Sequence, residues 1–399
     1  MKRQVLLLAA VVTFLWPVST QAEITYEVIE LGTLGGHQSM AYSINDASQI
    51  VGQAKNSQGD WRATLFDPTG AGNNIDLGTV GGEGSVAFCI NEAGQIVGAA
   101  DYSQGSWVEH ATLFDPTGAA RNVDLGTLGG ESSTALSIND AGQIVGHADN
   151  TEGEWRGTLF DPAGSGNNID LGTLGGSASV AWAINNAGQI AGWAENSRGD
   201  VRAALFDPTG AGNNMDLGTF AGDRSSAEAM NDGDQIVGWA EKDQGAQSAA
   251  LFDATGAGNN IDLGTLGCDD SPGYANSIND PGQIAGAARD SQGDRHATLF
   301  DPTGAGNNID LNTLIDPDSG WTLISARGMN NSGWVVGHGF NPQGEYHAFL
   351  LIPKPPCLYA LAGDLNDDCK VDFADFALMA ANWLVDCGPD PTDPACVPK

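Results

Sequence analysis

The sequence predicts an all-β fold, a β-propeller of seven four-stranded blades, and three observations lead to that prediction. One phrase of about 46 residues recurs seven times, and repeats of that length with strand-sized apolar runs are typical of propellers. Six copies contain four short apolar segments separated by turn-forming residues, and the seventh contains the first three. Glycine accounts for 55 of the 399 residues, and few windows keep a helical period, so helix is disfavoured. A β-solenoid is the alternative, but its coils are usually shorter than this period.

The third copy shows the four predicted strands most clearly, at 135–138, 143–146, 156–160 and 169–171. Between the first two lies Asn139-Asp-Ala-Gly142. Asn and Asp side chains bond their own backbone and Gly adopts positive φ easily, so this segment predicts a hairpin turn. Residues 172–176 are expected to connect one unit to the next.

The count of segments predicts how the ring closes. The repeat is marked by an Ile-Asn or Met-Asn pair that begins at Ile44, Ile90, Ile138, Ile184, Met230, Ile278 and Met329. The first three segments occur seven times, whereas the fourth occurs six times within the array and a seventh copy, 26–31, precedes it. We therefore expect 26–31 to pair beside 347–352 and complete the last blade, because an open array would expose unpaired strand edges.

Composition and targeting residues predict an exported protein. Lys2 and Arg3 precede an apolar run at 5–16, and Ala22 follows a short polar stretch, which is the pattern of a secretory signal peptide over residues 1–22. No other run is long and apolar enough to span a membrane. The chain has 50 acidic and 16 basic residues, a net charge of −34, so nucleic acid and anionic lipid are not expected partners.

Six cysteines are distributed unevenly. Cys89 and Cys268 lie singly in the repeats and are expected to be unpaired, because their units are far apart in the ring. Four more lie near the C-terminus, at Cys357, Cys369, Cys387 and Cys396. Export permits disulfides, and a tail too small for a good core predicts two bridges, with three pairings left open.

The repeats resemble the HAF family of extracellular repeats, which is named for a His-Ala-Phe motif. That motif occurs intact as His347-Ala348-Phe349, and the Asp-Leu-Gly-Thr-Leu-Gly-Gly and Gly-Gln-Ile-Val-Gly phrases also match. The resemblance spans residues 26–352, within a predicted propeller domain at 23–352. It implies export and a repeat fold, and it implies no defined activity.

The C-terminal segment has the spacing of a calcium-binding loop. A Pro-rich linker, 353–362, leads to a module at 363–399 in which oxygen donors alternate as in an EF-hand loop, with a helix following. The predicted calcium ligands are Asp364, Asn366, Asp368, the carbonyl of Lys370, Asp372 and Asp375. The alternative is an acidic turn without metal.

This small, predominantly α-helical module resembles one dockerin type I repeat, a family that also has Asp at the last ligand position, here Asp375. The family implies calcium-dependent binding of a cohesin-like or cell-surface protein. Two features depart from the dockerin pattern: Phe373 and Ala374 occupy partner-selecting positions, and a single loop-helix repeat is visible where dockerins carry two. From the EF-hand loop the segment departs at Cys369, where Gly is usual, and at Asp375, where Glu is usual.

No catalytic constellation is visible in the sequence. The six histidines share no metal-site spacing, and His110, His296 and His347 occupy a repeat position that is otherwise Arg or Ser, so we expect strand-end residues. Three hypotheses remain, in order of preference: a non-catalytic binding or scaffolding propeller, a carbohydrate-binding lectin, and a component of extracellular polysaccharide degradation. Trp61, Trp107 and Trp155 recur before the third strand and are candidates either for stacking on sugars or for covering blade edges.

Overall fold

The structure is a computed structural model, and it describes residues 24–105, 108–267 and 272–354. Residues Tyr26–Pro353 form one compact unit. The predicted signal peptide and the calcium module lie outside the described residues. Within the described ranges no helix is long and apolar enough to cross a bilayer.

Seven antiparallel sheets of four strands each confirm the predicted seven-bladed propeller. In six blades the chain runs from the central channel outwards. The first three are β2 (Gly35–Ile44), β3 (Ile50–Asn56), β4 (Trp61–Phe66), β5 (Ile75–Asp76); β6 (Ser85–Ile90), β7 (Ile96–Asp101), β8 (Glu109–Phe114), β9 (Val123–Asp124); and β10 (Gly129–Ile138), β11 (Ile144–Asn150), β12 (Trp155–Phe160), β13 (Ile169–Asp170). The next three are β14 (Gly175–Ile184), β15 (Ile190–Asn196), β16 (Val201–Phe206), β17 (Met215–Gly218); β18 (Ser225–Met230), β19 (Ile236–Glu241), β20 (Gln247–Phe252), β21 (Ile261–Gly264); and β22 (Tyr274–Ile278), β23 (Ile284–Arg289), β24 (Arg295–Phe300), β25 (Ile309–Asp310). Three short 3₁₀ turns lie at Asp243–Gly245, Leu311–Thr313 and Pro317–Ser319.

The seventh blade joins the two ends of the propeller. It contains β26 (Thr322–Met329), β27 (Val335–Phe340) and β28 (Tyr346–Lys354), and its outermost strand is β1 (Thr25–Glu30). Just beyond β1, the Leu31 amide donates to the Ala348 carbonyl over 3.0 Å. The prediction that the N-terminal strand completes the last blade is therefore confirmed.

One predicted boundary is wrong. Residues 172–176 were expected to form a connection, but Gly175 already belongs to β14 and pairs with Asn196. The inner strands of three blades reach ten residues in this way. A Gly-Gly pair suggests a loop in sequence, yet here Gly176 is a close-approach position, since a Cβ would lie 2.5 Å from that of Glu195.

The core lies between neighbouring blades. One layer brings Val97 of β7 against Ile138, Ile144 and Phe160 of the next blade, and Leu125 from the connection between them is fully buried. Burying each such side chain stabilises the fold by roughly 1.5–3 kcal/mol. The recurring apolar residues of each repeat therefore pack against both neighbouring blades.

Glycine at the third position of each second strand allows the two inner strands to approach closely. At Gly146 an added Cβ would lie 1.9 Å from the Thr134 carbonyl oxygen. The same restriction holds at every copy, namely Gly52, Gly98, Gly146, Gly192, Gly238, Gly286 and Gly337. In β10 and β11 this close approach lies at the pair Ala135 and Gly146, directly before a shift in the register of the two strands.

Candidate functional site

Each blade carries a β-bulge at the same position of its innermost strand. In β10 the register skips one residue between Ala135 and Ser137, so that Leu136 has no partner on β11. The corresponding bulge residues are Tyr42, Phe88, Leu136, Trp182, Glu228, Asn276 and Arg327. Bulges re-aim a side chain and are frequent beside binding sites.

The seven bulge residues line one cavity at the centre of the ring, here called the upper cavity, with a volume of about 320 Å³. The residue after each bulge is small and also lines the cavity: Ser43, Cys89, Ser137, Ala183, Ala229, Ser277 and Gly328. Because one position is variable and the adjoining one is small throughout, the space is shaped by the bulge residues.

The upper cavity has two chemically different halves. The first four blades contribute Tyr42, Phe88, Leu136 and Trp182, and the last three contribute Glu228, Asn276 and Arg327. Because the blades follow one another around a closed ring, Arg327 of the seventh blade lies across the channel from Leu136 and Trp182. The cavity can therefore hold a ligand that is apolar on one side and polar on the other.

The polar half contains the carboxyl group of Glu228, and its surroundings influence the pKa of that group. Glu228 accepts a hydrogen bond from the Trp239 indole over 3.1 Å. Burial raises the pKa of Glu228, while this hydrogen bond and the charge of Arg327 act in the opposite direction. Asn276 donates to the Ala326 carbonyl over 2.8 Å, which fixes its amide against the next blade.

Two positions after each bulge residue lies an apolar side chain, and these side chains form a ring around the channel. Six of them line both the upper cavity and a second, lower cavity of about 400 Å³: Ile44, Ile138, Ile184, Met230, Ile278 and Met329. These apolar side chains, one from each blade, therefore lie between the two cavities.

A closed ring of asparagines lies at this level. The Asn139 amide donates to its own turn at Gln143 over 2.8 Å and to the carbonyl of Asn185 in the next blade over 3.0 Å. The inter-blade bond repeats around the whole ring through Asn45, Asn91, Asn139, Asn185, Asn231, Asn279 and Asn330. Sequence reasoning assigned these asparagines to the hairpin turn and missed their second role, although their presence in all seven copies was visible.

The residue after each asparagine forms a second ring, which is rich in carboxylates. Each backbone amide of this ring donates to the side chain of the next blade, through Asp46, Glu92, Asp140, Asn186, Asp232, Asp280 and Asn331. The Asn186 amide bridges Asp140 and Asp232, at 2.8 and 2.9 Å. Burial, and then the charges of Asp46 and Asp140, raise the pKa of Glu92. Among the described residues no group of three or more His, Cys, Asp or Glu has the arrangement of a metal site.

The outer edge of each blade is fastened by a polar pair between its third and fourth strands. His110 Nδ1 lies 2.9 Å from Asp124, and Arg156 Nε lies 3.2 Å from Asp170. His296 and His347 occupy the same position in their blades and contact Asp310 and Glu30. The three histidines are therefore strand-end residues, as the sequence predicted.

The other sequence-predicted site residues are not brought to the channel. Trp155 lies on the outer part of its blade, 53% exposed, and its ring centroid is 5.1 Å from that of His147. Trp61 begins β4, with Lys55 Nζ 5.2 Å from its ring centroid. Trp107 lies outside the described residues, as do the predicted calcium ligands Asp364, Asn366, Asp368, Lys370, Asp372 and Asp375.

Cys89 is a free thiol that lines the upper cavity, and burial raises its pKa. Cys268 and the four cysteines of the tail lie outside the described residues. The predicted disulfides of the tail therefore remain predictions.

Comparisons with known proteins identify no family for this chain. No protein-family model and no curated protein sequence matches it. The WD40 β-propeller domain of Doa1 is similar at a TM-score of 0.42 and 14% identity, over 81% of this chain and 96% of that one. A gluconolactonase from Xanthomonas campestris is similar at a TM-score of 0.36 and 10% identity, over 82% and 90%. Likenesses at this level support no conclusion about the fold or the function of this chain.

Proposed function

We propose that this protein is an exported, non-catalytic binding protein that holds one ligand per ring in the upper cavity. The single observation that supports this proposal is the set of seven bulges. The repeat keeps its hairpin asparagines and the third-position glycines of its second strands in all seven copies, yet the bulge residue is different in every blade. The residue before the bulge is alanine in every blade, and the variable bulge residue lines the cavity. The variation is therefore explained by the shape and chemistry of that cavity rather than by folding.

The composition of the cavity favours binding over hydrolysis. Among the described residues that line it, Glu228 is the single carboxylate, whereas glycoside hydrolysis generally uses two carboxylates on opposite sides of the bond. Glu228 also has a fixed hydrogen-bond partner in Trp239. The cavity therefore has groups that can orient a ligand, without a paired acid and base.

A carbohydrate ligand is the second candidate, and one observation favours it. Tyr42 and Trp182 offer aromatic surfaces, while Glu228, Asn276 and Arg327 offer both donors and acceptors, a combination that suits a sugar ring with an apolar face and hydroxyl groups. This would be one central site rather than the several weak sites of a multivalent lectin.

The tail supplies the second part of the proposal. If the dockerin-like module at 363–399 binds calcium, it would attach the propeller to a cohesin-like or cell-surface partner. The propeller would then present its cavity outside the cell at a fixed location. This part rests on the sequence alone.

The cavity proposal is tested by a glycan array followed by calorimetry on the mature protein. We expect one ligand per chain, and we expect Trp182→Ala to weaken binding at least tenfold. Trp155→Ala is the matched control, because that tryptophan is exposed on an outer strand. Several ligands per chain, with loss of binding in Trp155→Ala rather than in Trp182→Ala, would contradict the central site and favour a multivalent lectin.

A further inference from the structure

Arg327 is a charged residue without a counter-ion. Three arginines of the third strands pair with a fourth-strand Asp, as Arg62–Asp76, Arg156–Asp170 and Arg202–Asp216. Among the described residues Arg327 forms neither an ion pair nor a hydrogen bond, and its Nε is buried. The chain has 50 acidic and 16 basic residues, so carboxylates are abundant. Within the part of the chain that the structure describes, Arg327 at the channel wall nevertheless has none as an ion-pair partner.

Two further side-chain nitrogen atoms near Arg327 are buried without a partner. They are Arg295 Nε and His338 Nδ1, and His338 is only 3% exposed. Burial, and then the nearby charge of Arg327, lowers the pKa of Arg295. Burial, followed by both arginines, lowers the pKa of His338 to about 3, so this imidazole is neutral at neutral pH. The sixth and seventh blades thus hold two positive charges that repel each other.

Charges taken out of water are unfavourable unless they are paired. Tyr274, 5.7 Å from the Arg295 guanidinium, offers that group only its ring face. Glu228 lies in the same cavity as Arg327 and attracts it electrostatically, but the two groups form no ion pair. The fold therefore leaves Arg327 available to an anion that enters from the channel.

We propose that the upper cavity binds its ligand through a carboxylate, with the guanidinium of Arg327 as the counter-ion. This inference rests on the proposed function and names the chemistry of its ligand. A guanidinium matches a carboxylate through two parallel hydrogen bonds. A volume of about 320 Å³ suits a compact molecule, such as one sugar ring or one aromatic ring.

The surrounding charges favour a ligand with one negative charge. Glu228 lines the same cavity, and the carboxylate ring that begins at Asp46 lines the cavity below. A second negative charge on the ligand would be repelled by both. Opposite Arg327, the apolar surface of Leu136 and the indole of Trp182 can receive the body of the ligand, and the Trp182 N–H is buried without a partner. A uronic acid and a simple aromatic acid share this chemistry.

The experiment measures binding of four probes to the mature protein by calorimetry and by the shift in melting temperature. D-Galacturonate and benzoate carry one carboxylate, D-galactose is the neutral counterpart of the first, and inorganic phosphate is a more highly charged anion. We expect one or both carboxylates to bind with 1:1 stoichiometry and to raise the melting temperature more than galactose or phosphate. Galacturonate alone would identify the source as an acidic sugar, and benzoate alone as an aromatic acid.

Arg327→Gln should weaken carboxylate binding at least tenfold, whereas Arg62→Gln, which removes a paired arginine from an outer strand, should leave it unchanged. If Arg327 had a merely structural role, Arg327→Gln would lower the melting temperature of the free protein; we expect no decrease. Equal binding of galactose and galacturonate would overturn the carboxylate inference and leave the central binding site standing. If neither galacturonate nor benzoate raised the melting temperature of the wild-type protein, the carboxylate inference would also be overturned. This measurement uses the wild-type protein alone, so it does not depend on whether a variant folds.

Discussion

His347 Nδ1 and the Glu30 carboxylate are in direct hydrogen-bond contact although 317 residues separate them in the chain. In the second and sixth blades the same pair is formed by residues 14 apart, His110 with Asp124 and His296 with Asp310. The N-terminal strand therefore brings the polar partner that the missing fourth strand would have supplied. The histidine of the His-Ala-Phe motif has the structural role of holding the outermost strand of its blade.

Deleting residues 23–32 should unfold the propeller rather than shorten it. The deletion exposes the edge of β28 and removes the fully buried Leu31, which packs against residues of the first and last blades. Circular dichroism and urea unfolding would measure the loss. Glu30→Gln is the milder control, with an expected loss of about 1 kcal/mol for one hydrogen bond. A deletion variant that melts like the wild type would contradict this account of closure.

Asn139→Ala should destabilise the ring by about 2–3 kcal/mol. The side chain is buried, it accepts from the Gln143 amide over 2.9 Å, and its amide donates to two acceptors, one of them in the next blade. Removing it leaves a buried carbonyl unsatisfied. Urea unfolding would measure the change against Asn167→Ala, an exposed asparagine bonded to Asp161, for which we expect a loss of about 0.5 kcal/mol or less. Equal losses in the two variants would contradict the inter-blade role.

His147 should make the protein less stable as the pH falls from 6.5 toward 4. Burial lowers its pKa in the folded protein from 6.5 to about 4, so in this range the unfolded chain binds a proton that the folded chain excludes. Protonation thus favours unfolding, and about 3 kcal/mol of stability is lost by pH 4.

Chemical denaturation at several pH values checks this. His147→Gln should reduce the slope of stability against pH between these two values, and His338, whose pKa burial lowers to about 3, should account for part of the slope that remains. His37→Gln, at a side chain 88% exposed, should follow the wild type. A wild-type slope that is unchanged in His147→Gln would show that other groups cause the acid sensitivity.

Calcium binding by the tail is tested on the full-length mature protein by calorimetry. We expect one ion per chain at an affinity near 10⁻⁴ M, about the weak range of extracellular sites, because Cys369 replaces the turn glycine. Asp364→Ala should abolish the heat of binding and leave the melting of the propeller unchanged. Absence of any heat at millimolar calcium in the wild type would leave an acidic turn in its place.

The fold was predictable because the same pattern of strand and turn residues recurs in seven copies. Segments of alternating apolar residues, turns such as Asn139–Gly142 and one displaced strand copy determine blades, hairpins and closure without long-range information. The candidate site was less accessible. A bulge at Leu136 depends on how β10 and β11 pair, and its neighbours Ala135 and Ser137 give no sign of it. The convergence of Trp182, Glu228 and Arg327 follows only when the ring is closed, since 46 or more residues separate successive copies.

The pairing of the first strand, β1, with the last strand, β28, also affects when the ring can close during synthesis. β1 is the first strand of the propeller to be made, and its partner β28 is the last, so the ring stays open until the whole repeat array has been synthesised. During that interval β1 of each molecule is unpaired, and so is the edge of β28 with which it pairs in the finished ring. At high concentration β1 of one molecule can complete the last blade of another, so strand exchange would produce dimers with two intact rings. Closing the ring within one chain is therefore a matter of local concentration as well as of stability.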